Sequence, residues 1–473
     1  MGFGANDADY LENVPYNELK LCQRASLVRT LSQEDIELFA VMSGNVNPAH
    51  LDEDFARAGV FEGIIGHGMW AGSLVSTLLG TVLPGPGTVY LSQNLDFQKP
   101  VRLGDTISVS VTVSHIREDK PVVTFDCLCQ NSLGETVLRG TAVVLAPTEK
   151  VRYRTRQLPD VQLKRHDRYR ALIDSCADIP LLRTAVVHPV AGYALAAAYE
   201  GVREKLIEPV LVGPKQRIQA AAAEAGVDIS GYELVDTEHS HAAAAEAVRL
   251  AATGEVEAIM KGALHTGELL RPLVSSGGGL RTERRVSHAY VMDIPTYHKP
   301  LIITDAAINI LPDLEVKADI CRNAVDLWRT IVSEEQWPKV AILAAVETVS
   351  PQMQATVDAA CLCKMADRDQ ITNAFIDGPL ALDLAISREA VTKKGVRSEV
   401  AGDADILVVP DIESGNMLAK QLTFLGSSDA AGLVLGARVP VILPSRSDSL
   451  RTRLMSCALA VRMAQVRRES KVV

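Results

Sequence analysis

The hydrophobic period changes once along this chain, near residue 150, so no single repeating architecture accommodates all of it. In "DTISVSVTVSHI", Ile107, Val109, Val111 and Val113 alternate with Thr106, Ser108, Ser110 and Thr112, the two-residue period of a sheet with one buried face. "VVTFDCLCQ" and "ETVLRGTAVVLAP" continue the pattern around a turn at "NSLG", Asn131 to Gly134. Upstream, "GMWAGSLVSTLLGTVL" from Gly68 is apolar nearly all round and predicts a helix buried by whatever surrounds it. One sheet wrapped around one buried helix, an α+β domain, is the simplest packing of these pieces.

Beyond that region the alternation stops. "PTEKVRYRTRQLPDVQLKRH" has no period and carries several arginines and lysines, as a solvated linker does. Short apolar runs then recur between Ala-rich helical stretches: "TAVVHPV", "EPVLVGP", "EAIMKG", "PLIITDAA", "KVAILAAV", "DILVVPD" and "PVILPS". This order predicts an α/β domain with a mostly parallel sheet covered on both faces. At 473 residues the chain is too long for one ordinary core, and the expected division is 1–147, a linker at 148–166, and 167–473.

Composition narrows the partners. Only 4% of residues are aromatic and the formal net charge is -10, which argues against nucleic acid while leaving room for an anionic ligand at a local arginine cluster. Eight cysteines include Cys127 with Cys129 and Cys361 with Cys363, but the pairs lack the matching His or Cys spacing of a zinc site; reduced thiols and no metal are expected. No run approaches the ~20 apolar residues that span a bilayer, and the start of the chain lacks a signal pattern. A cytoplasmic protein without a membrane partner is expected.

The stretch "SGNVNPAHLDEDFARAG" gathers Asn45, Asn47, Pro48 and His50 in one polar loop. By itself it reads either as a turn around a satisfied core histidine or as a catalytic loop. Together with "GIIGHGMW" it resembles the MaoC-like, (R)-specific enoyl-CoA hydratases of the hotdog fold, whose loop reads D-x-N-P-x-H before a central helix opened by H-G-M. The resemblance covers roughly Leu31 to Pro147. It implies a water-activating role for His50, a loop role for Asn47 and Pro48, and a backbone N–H near Gly68 holding the thioester oxygen. The physics agrees, because a helix N-terminus favours developing negative charge. The family aspartate is replaced by Asn45, whose carboxamide holds a water but accepts no proton at neutral pH.

Toward the other end, "VVPDIESGNMLAKQL", "SSDAAGLVLGARVPVILPSRSDS", "KGALHTGELLRP", "IITDAAINILPD" and "IDGPLALD" occur in one order. Together they resemble the phosphate acetyltransferase and butyryltransferase family from about Arg168 to Met463. The resemblance implies exchange of phosphate and coenzyme A on an acyl group, with Ser445 and Arg446 as its Ser-Arg pair. That pair ends the strand "PVILP", where an arginine fork and helix N–H groups suit a phosphate; it also reads as an N-cap beside a surface arginine. Arg271 matches a family arginine for phosphate or coenzyme A. Arg281, Arg284 and Arg285 in "RTERR" are further candidates for coenzyme A phosphates, or else a solvated basic loop. Gly277 to Gly279 make no ATP-binding loop, since no G-K-[ST] follows.

In the acetyltransferase branch a base aspartate falls where this chain has Thr452. Asp448, in "SRSDS", resembles the butyryltransferase branch and is the candidate base, or a helix-start acid favoured by the dipole. Asn416, Ser428 and Asp377 lie in matched motifs and are expected to line the cleft. The expectation is therefore a fused enzyme: a hotdog acyl-CoA-binding or hydratase domain, then a phosphotransacetylase-like acyltransferase. Coenzyme A, acyl-CoA, phosphate and acyl phosphate would be its substrates and products, no cofactor would be tightly bound, and the chain would form a homo-oligomer. The other reading is a regulatory acyl-CoA-binding protein with one or both domains non-catalytic.

Overall fold

The computed structural model describes residues 10–155, 158, 159, 161, 163, 167–445 and 448–470. It divides into two compact units, Met1–Leu163 and Lys164–Val473.

In the first unit five antiparallel strands lie in the order Arg24–Thr30, Thr106–Ile116, Val122–Asn131, Thr136–Leu145 and Val89–Phe97. The alternating residues Ile107, Val109, Val111 and Val113 are all inside, with Val109 opposite Cys129 and Val111 opposite Cys127. Ser110 breaks the pattern: it is buried, and its hydroxyl donates to Leu128 O at 3.5 Å. Helix Gly68–Thr81 packs on strands Arg24–Thr30, Val89–Phe97 and Thr106–Ile116, which makes the hotdog arrangement. It is not buried on every side, as its composition suggests. Trp70, Ala71, Val75, Leu78 and Leu79 face the sheet, whereas Met69, Ser73, Ser76 and Thr77 are exposed. The hydroxyls of Ser73, Thr77 and Thr81 donate to carbonyls one turn back, which lets polar residues sit on a helix that reads as apolar. Within the expected linker, Arg152–Arg154 forms a strand paired with Tyr10–Glu12.

The second unit is built on an eleven-stranded sheet, mixed but mostly parallel. Glu233–Asp236, Ile207–Gly213, Leu182–Val187, Ala258–Lys261 and Val441–Ile442 form one parallel block. Leu301–Thr304, Ile406–Val408, Lys339–Leu343 and Phe375–Leu380 form another. Between the blocks run Asp429–Leu435 and Ser287–Asp293, each antiparallel to both neighbours. Three successive reversals leave the two blocks pointing in opposite directions. Glu233–Asp236, Ser287–Asp293, Phe375–Leu380 and Asp429–Leu435 were not among the expected strands; in "SHAYVMD", His288 and Tyr290 interrupt the apolar run, although His288 is fully buried.

All eight cysteines are free thiols, and burial pushes Cys321 and Cys457 up to about 12. Among the described residues no group of three His, Cys, Asp or Glu side chains is placed to hold a metal, and no helix is long and apolar enough to cross a membrane.

Candidate functional site

A cleft of about 1140 Å³ opens where strands Ala258–Lys261 and Val441–Ile442 end and Asp429–Leu435 begins. This is the carboxyl edge of one parallel block, where α/β sheets bind their ligands. Pro444 closes the strand, and the turn after it is held by its own groups. Ser445 N donates to Asp448 Oδ2 at 2.7 Å, and Thr452 N donates to Ser449 Oγ at 3.1 Å, which caps helix Leu450–Ser470. Beneath the turn, Arg453 is 2% exposed; its guanidinium donates to Ser445 O at 2.8 Å and to Asp448 O at 3.3 Å and lies over the Tyr193 ring.

Of the residues singled out in the sequence, Asn416, Ser428, Ser445 and Asp448 line this cleft together, and Thr452 faces it too. Asn416 Nδ2 donates to Ala306 O at 3.2 Å, which ties helix Ile412–Phe424 to the loop after Leu301–Thr304. Burial raises the Asp448 carboxyl above the usual range, against the opposing pull of the Ser445 N–H, Arg453 and Lys261. A carboxylate raised in this way is a better proton acceptor than a solvated one. Tyr290, across the cleft, is pushed up to about 12 by burial and then by the Asp448 charge, and so stays a neutral phenol. Arg446 lies outside the described residues.

The other candidates are elsewhere. Arg271 is exposed on helix Thr266–Val274 and does not line the cleft. The "RTERR" run sits at the wrong end of the sheet: Ser287 pairs with Leu435, at the far end of the strand whose start, Asp429, borders the cleft. There Arg284 is paired with Asp326, and Arg285 donates to Asn309 Oδ1 at 3.4 Å. Asp377 is on the edge strand Phe375–Leu380, its Oδ1 accepting from Gly378 N at 2.8 Å. Lys261 and Arg453 were overlooked. Lys261 is a lone cation at the end of the apolar run "AIMK", and that contrast was the available signal; Arg453 follows Arg451 in "LRTRLMSCALAV" and carried no such contrast.

In the first unit, the loop brings His50 and His67 together with ring centroids 4.0 Å apart. Asn47 Oδ1 accepts from Ala49 N at 3.1 Å, and Pro48 follows as the first residue of helix Pro48–Leu51. His50 Nδ1 lies 2.8 Å from Ile65 O. A carbonyl only accepts, so Nδ1 carries a proton, and in the neutral ring the lone pair is on Nε2. His67 Nε2 donates to Asn45 O at 3.1 Å. The Asn45 side-chain oxygen accepts from Asn47 N at 3.2 Å, so this carboxamide supports the loop's own backbone. Among the described residues no side chain caps the start of helix Gly68–Thr81. The space beside Gly68 is taken by Phe97, whose ring would meet an added Cβ at 3.1 Å, a tight contact that the ring would have to shift to relieve.

The mixed sheet of the second unit resembles that of solved phosphotransacylases. The branched-chain phosphotransacylase from Enterococcus faecalis V583 matches with a TM-score of 0.53 and 31% identity, over 60% of this chain and 99% of that one. The family profile described as phosphate acetyl/butaryl transferase matches residues 241–461, and the MaoC like domain profile matches 17–126. A phosphate acetyltransferase of Rhizobium meliloti is 56% identical over 289 residues, 61% of this chain and 91% of that protein. A phosphate butyryltransferase of Clostridium acetobutylicum is 41% identical over 270 residues, 57% of this chain and 89% of that protein. The chain belongs to the phosphate acetyl/butyryltransferase family and carries a MaoC-like domain ahead of its transferase domain.

Three buried histidines give a pH signature. Burial lowers His67, His188 and His288, the last to about 4, with only Asp305 pulling His288 the other way. Their neutral forms are favoured in the fold. That contribution is complete above the unfolded value near 6.5 and is lost as pH falls toward the folded one. Melting temperature should therefore decline between about pH 6.5 and pH 4, and His288→Gln should flatten the decline. An equal slope in the variant would remove His288 from this account.

Proposed function

We propose that the second unit converts acyl-CoA and phosphate into acyl phosphate and coenzyme A in the cleft beside Ser445. The observation that carries this reading is Asp448, a carboxylate raised by burial and locked to the backbone of the family's Ser-Arg turn. An oxygen of hydrogen phosphate attacks the thioester carbon, a C–O bond forms, and the C–S bond breaks. The phosphate proton passes through Asp448 to the departing thiolate, which balances the step. Arg446 supplies a fork for phosphoryl oxygens, and Asn416 and Ser428 position the acyl group from the opposite wall. Arg271, Arg285 and Asp377 have no part in this scheme. The eight free thiols suit a reducing, cytoplasmic setting.

The purified chain should release free thiol from acyl-CoA only when phosphate is present, a test best run over a panel of chain lengths. Asp448→Asn should cost roughly 10²- to 10⁴-fold, and Arg446→Gln at least about tenfold. If acyl-CoA binds and no phosphate-dependent thiol appears, the chain is an acyl-CoA sensor instead.

The MaoC-like domain, in this reading, holds an acyl thioester and hydrates poorly. His50 keeps a lone pair on Nε2, but the residue that would share its water is Asn45, already engaged with Asn47 N. Asn45→Asp should raise hydration of crotonyl-CoA by at least about tenfold, and His50→Ala in that background should abolish it without changing the transferase. Equal hydration by the unaltered chain would show that Asn45 does not mark a missing base.

A homo-oligomer completes the proposal. Val89, Leu91 and Phe97 are more than half exposed on the edge strand Val89–Phe97, as is Met69 on the neighbouring helix. An apolar sheet edge of this kind invites pairing with another copy. Light scattering at micromolar concentration should report a dimer or larger species, and a monodisperse monomer would refute it.

A further inference from the structure

A second cavity, of about 350 Å³, lies at the other end of strand Asp429–Leu435 from the Ser445 cleft. It opens where that strand runs out into Gly436 and Ala437, against the last turns of helix Leu450–Ser470 and the "RTERR" loop. Leu435, Ala437 and Met463, all buried, give it an apolar wall. Arg284, Asp326 and Arg467 make its charged side, with Glu283 exposed beside them.

The polar groups of this lining are engaged unequally. Arg284 is paired with Asp326. The Thr282 hydroxyl donates to Gly436 O at 2.7 Å, and Asn323 Nδ2 donates to Arg285 O and to Ser287 Oγ, each at 2.9 Å. On the helix, Arg468 forks onto Glu257 at 2.7 and 2.5 Å. Its neighbour Arg467 has no such fork: Nη1 is buried without a hydrogen-bond acceptor among the described residues. Burial pulls this guanidinium below its ordinary value, and the charge of Asp326, already bonded to Arg284, opposes that pull from a distance. A buried charged donor without an acceptor is costly and calls for an occupant. Water would meet the N–H but not the charge.

We propose that this cavity binds a short-chain monocarboxylate, whose two oxygens take the Arg467 fork while its alkyl end lies on Leu435, Ala437 and Met463. The planar guanidinium matches the two oxygens of a carboxylate. One guanidinium without a bonded anion calls for one negative charge, and a phosphate monoester would bring a second against Asp326 and Glu283. The apolar wall gives a short alkyl group a dry surface that a bare inorganic anion could not use. The site is remote from Ser445, and the inference does not rest on the transferase reading.

Sodium butyrate is the probe, added to the full chain and followed by calorimetric titration and melting temperature, with butyramide as the uncharged control. Butyrate should bind saturably in the millimolar range and raise the melting temperature, and butyramide should do neither. Arg467→Met should weaken butyrate binding at least about tenfold, as loss of a charged hydrogen-bonded pair does. Binding of butyrate in the Ser445 cleft would survive that substitution and overturn the proposal. Where Arg467→Met does not fold, Glu283→Gln on the exposed rim decides: removing the like charge should tighten butyrate binding about twofold, and unchanged or weaker binding overturns the proposal. Inorganic phosphate that displaces butyrate and loses its own binding in Arg467→Met would mark a phosphate site and overturn the carboxylate assignment. Equal shifts with butyrate and butyramide, or no saturable binding of butyrate, overturn it outright.

Discussion

A guanidinium buried under a turn is the contact on which the shape of the cleft depends. Arg453 reaches the carbonyls of Ser445 and Asp448 from one turn into helix Leu450–Ser470, so the helix and the strand Val441–Ile442 meet at a fixed angle. Hydrogen bonds to a charged donor contribute roughly 1.5–3 kcal/mol each, and the Ser445 carbonyl accepts from Asp448 N as well, at 3.3 Å. The turn in consequence presents Ser445 N and Asp448 Oδ2 as a closed unit. Helix residues Cys457, Ala458, Leu459 and Ala460 are fully buried, which anchors the guanidinium from behind.

The reversal in the middle of the sheet decides where that turn can act. In a single parallel block all strand ends would open on one edge. Here Asp429–Leu435 runs against Val441–Ile442, so the start of one strand and the end of the other share an edge. Ser428 and Asp429 are thereby set opposite Ser445, and helix Ile412–Phe424 supplies the far wall. Gly432 packs tightly where the two strands pair: an added Cβ would lie 3.0 Å from His288 Nε2, on the neighbouring strand. Burial favours the neutral form of His288, and among the described residues neither of its ring nitrogens has a hydrogen-bond partner.

Period and motif made the fold largely legible. The Thr106–Ile116 alternation is a direct image of a half-buried sheet, and seven apolar runs after residue 180 each mark a strand. Ser287–Asp293 escaped because burial of His288 and Tyr290 is decided by neighbours distant in sequence. The site was legible in part for a related reason. Ser445 and Asp448 share a turn, so local sequence reports their proximity. Arg285 follows a glycine-rich loop, but nothing local says which end of the sheet it reaches, and strand pairing sends it away from the cleft. Lys261 is remote from Ser445 in sequence and meets it only through the pairing of two parallel strands.

The two domains handle a missing acid differently, and the difference is physical. In the transferase turn, Thr452 stands where one branch of the family has its base, yet the carboxylate of Asp448 borders the same cleft four residues earlier. In the hotdog loop the nearest acid after His50 is Asp52, and its Oδ1 accepts from Phe55 N at 2.9 Å as the cap of helix Glu53–Ala58. Moving that carboxylate toward His50 would uncap the helix, at a cost of about 1 kcal/mol, and would require the chain to turn back over Pro48. Asn45 is itself held by Asn47 N, and its backbone carbonyl fixes His67. The loop thus keeps its shape around the histidine pair through its own backbone and carboxamide bonds, with no carboxylate needed at position 45.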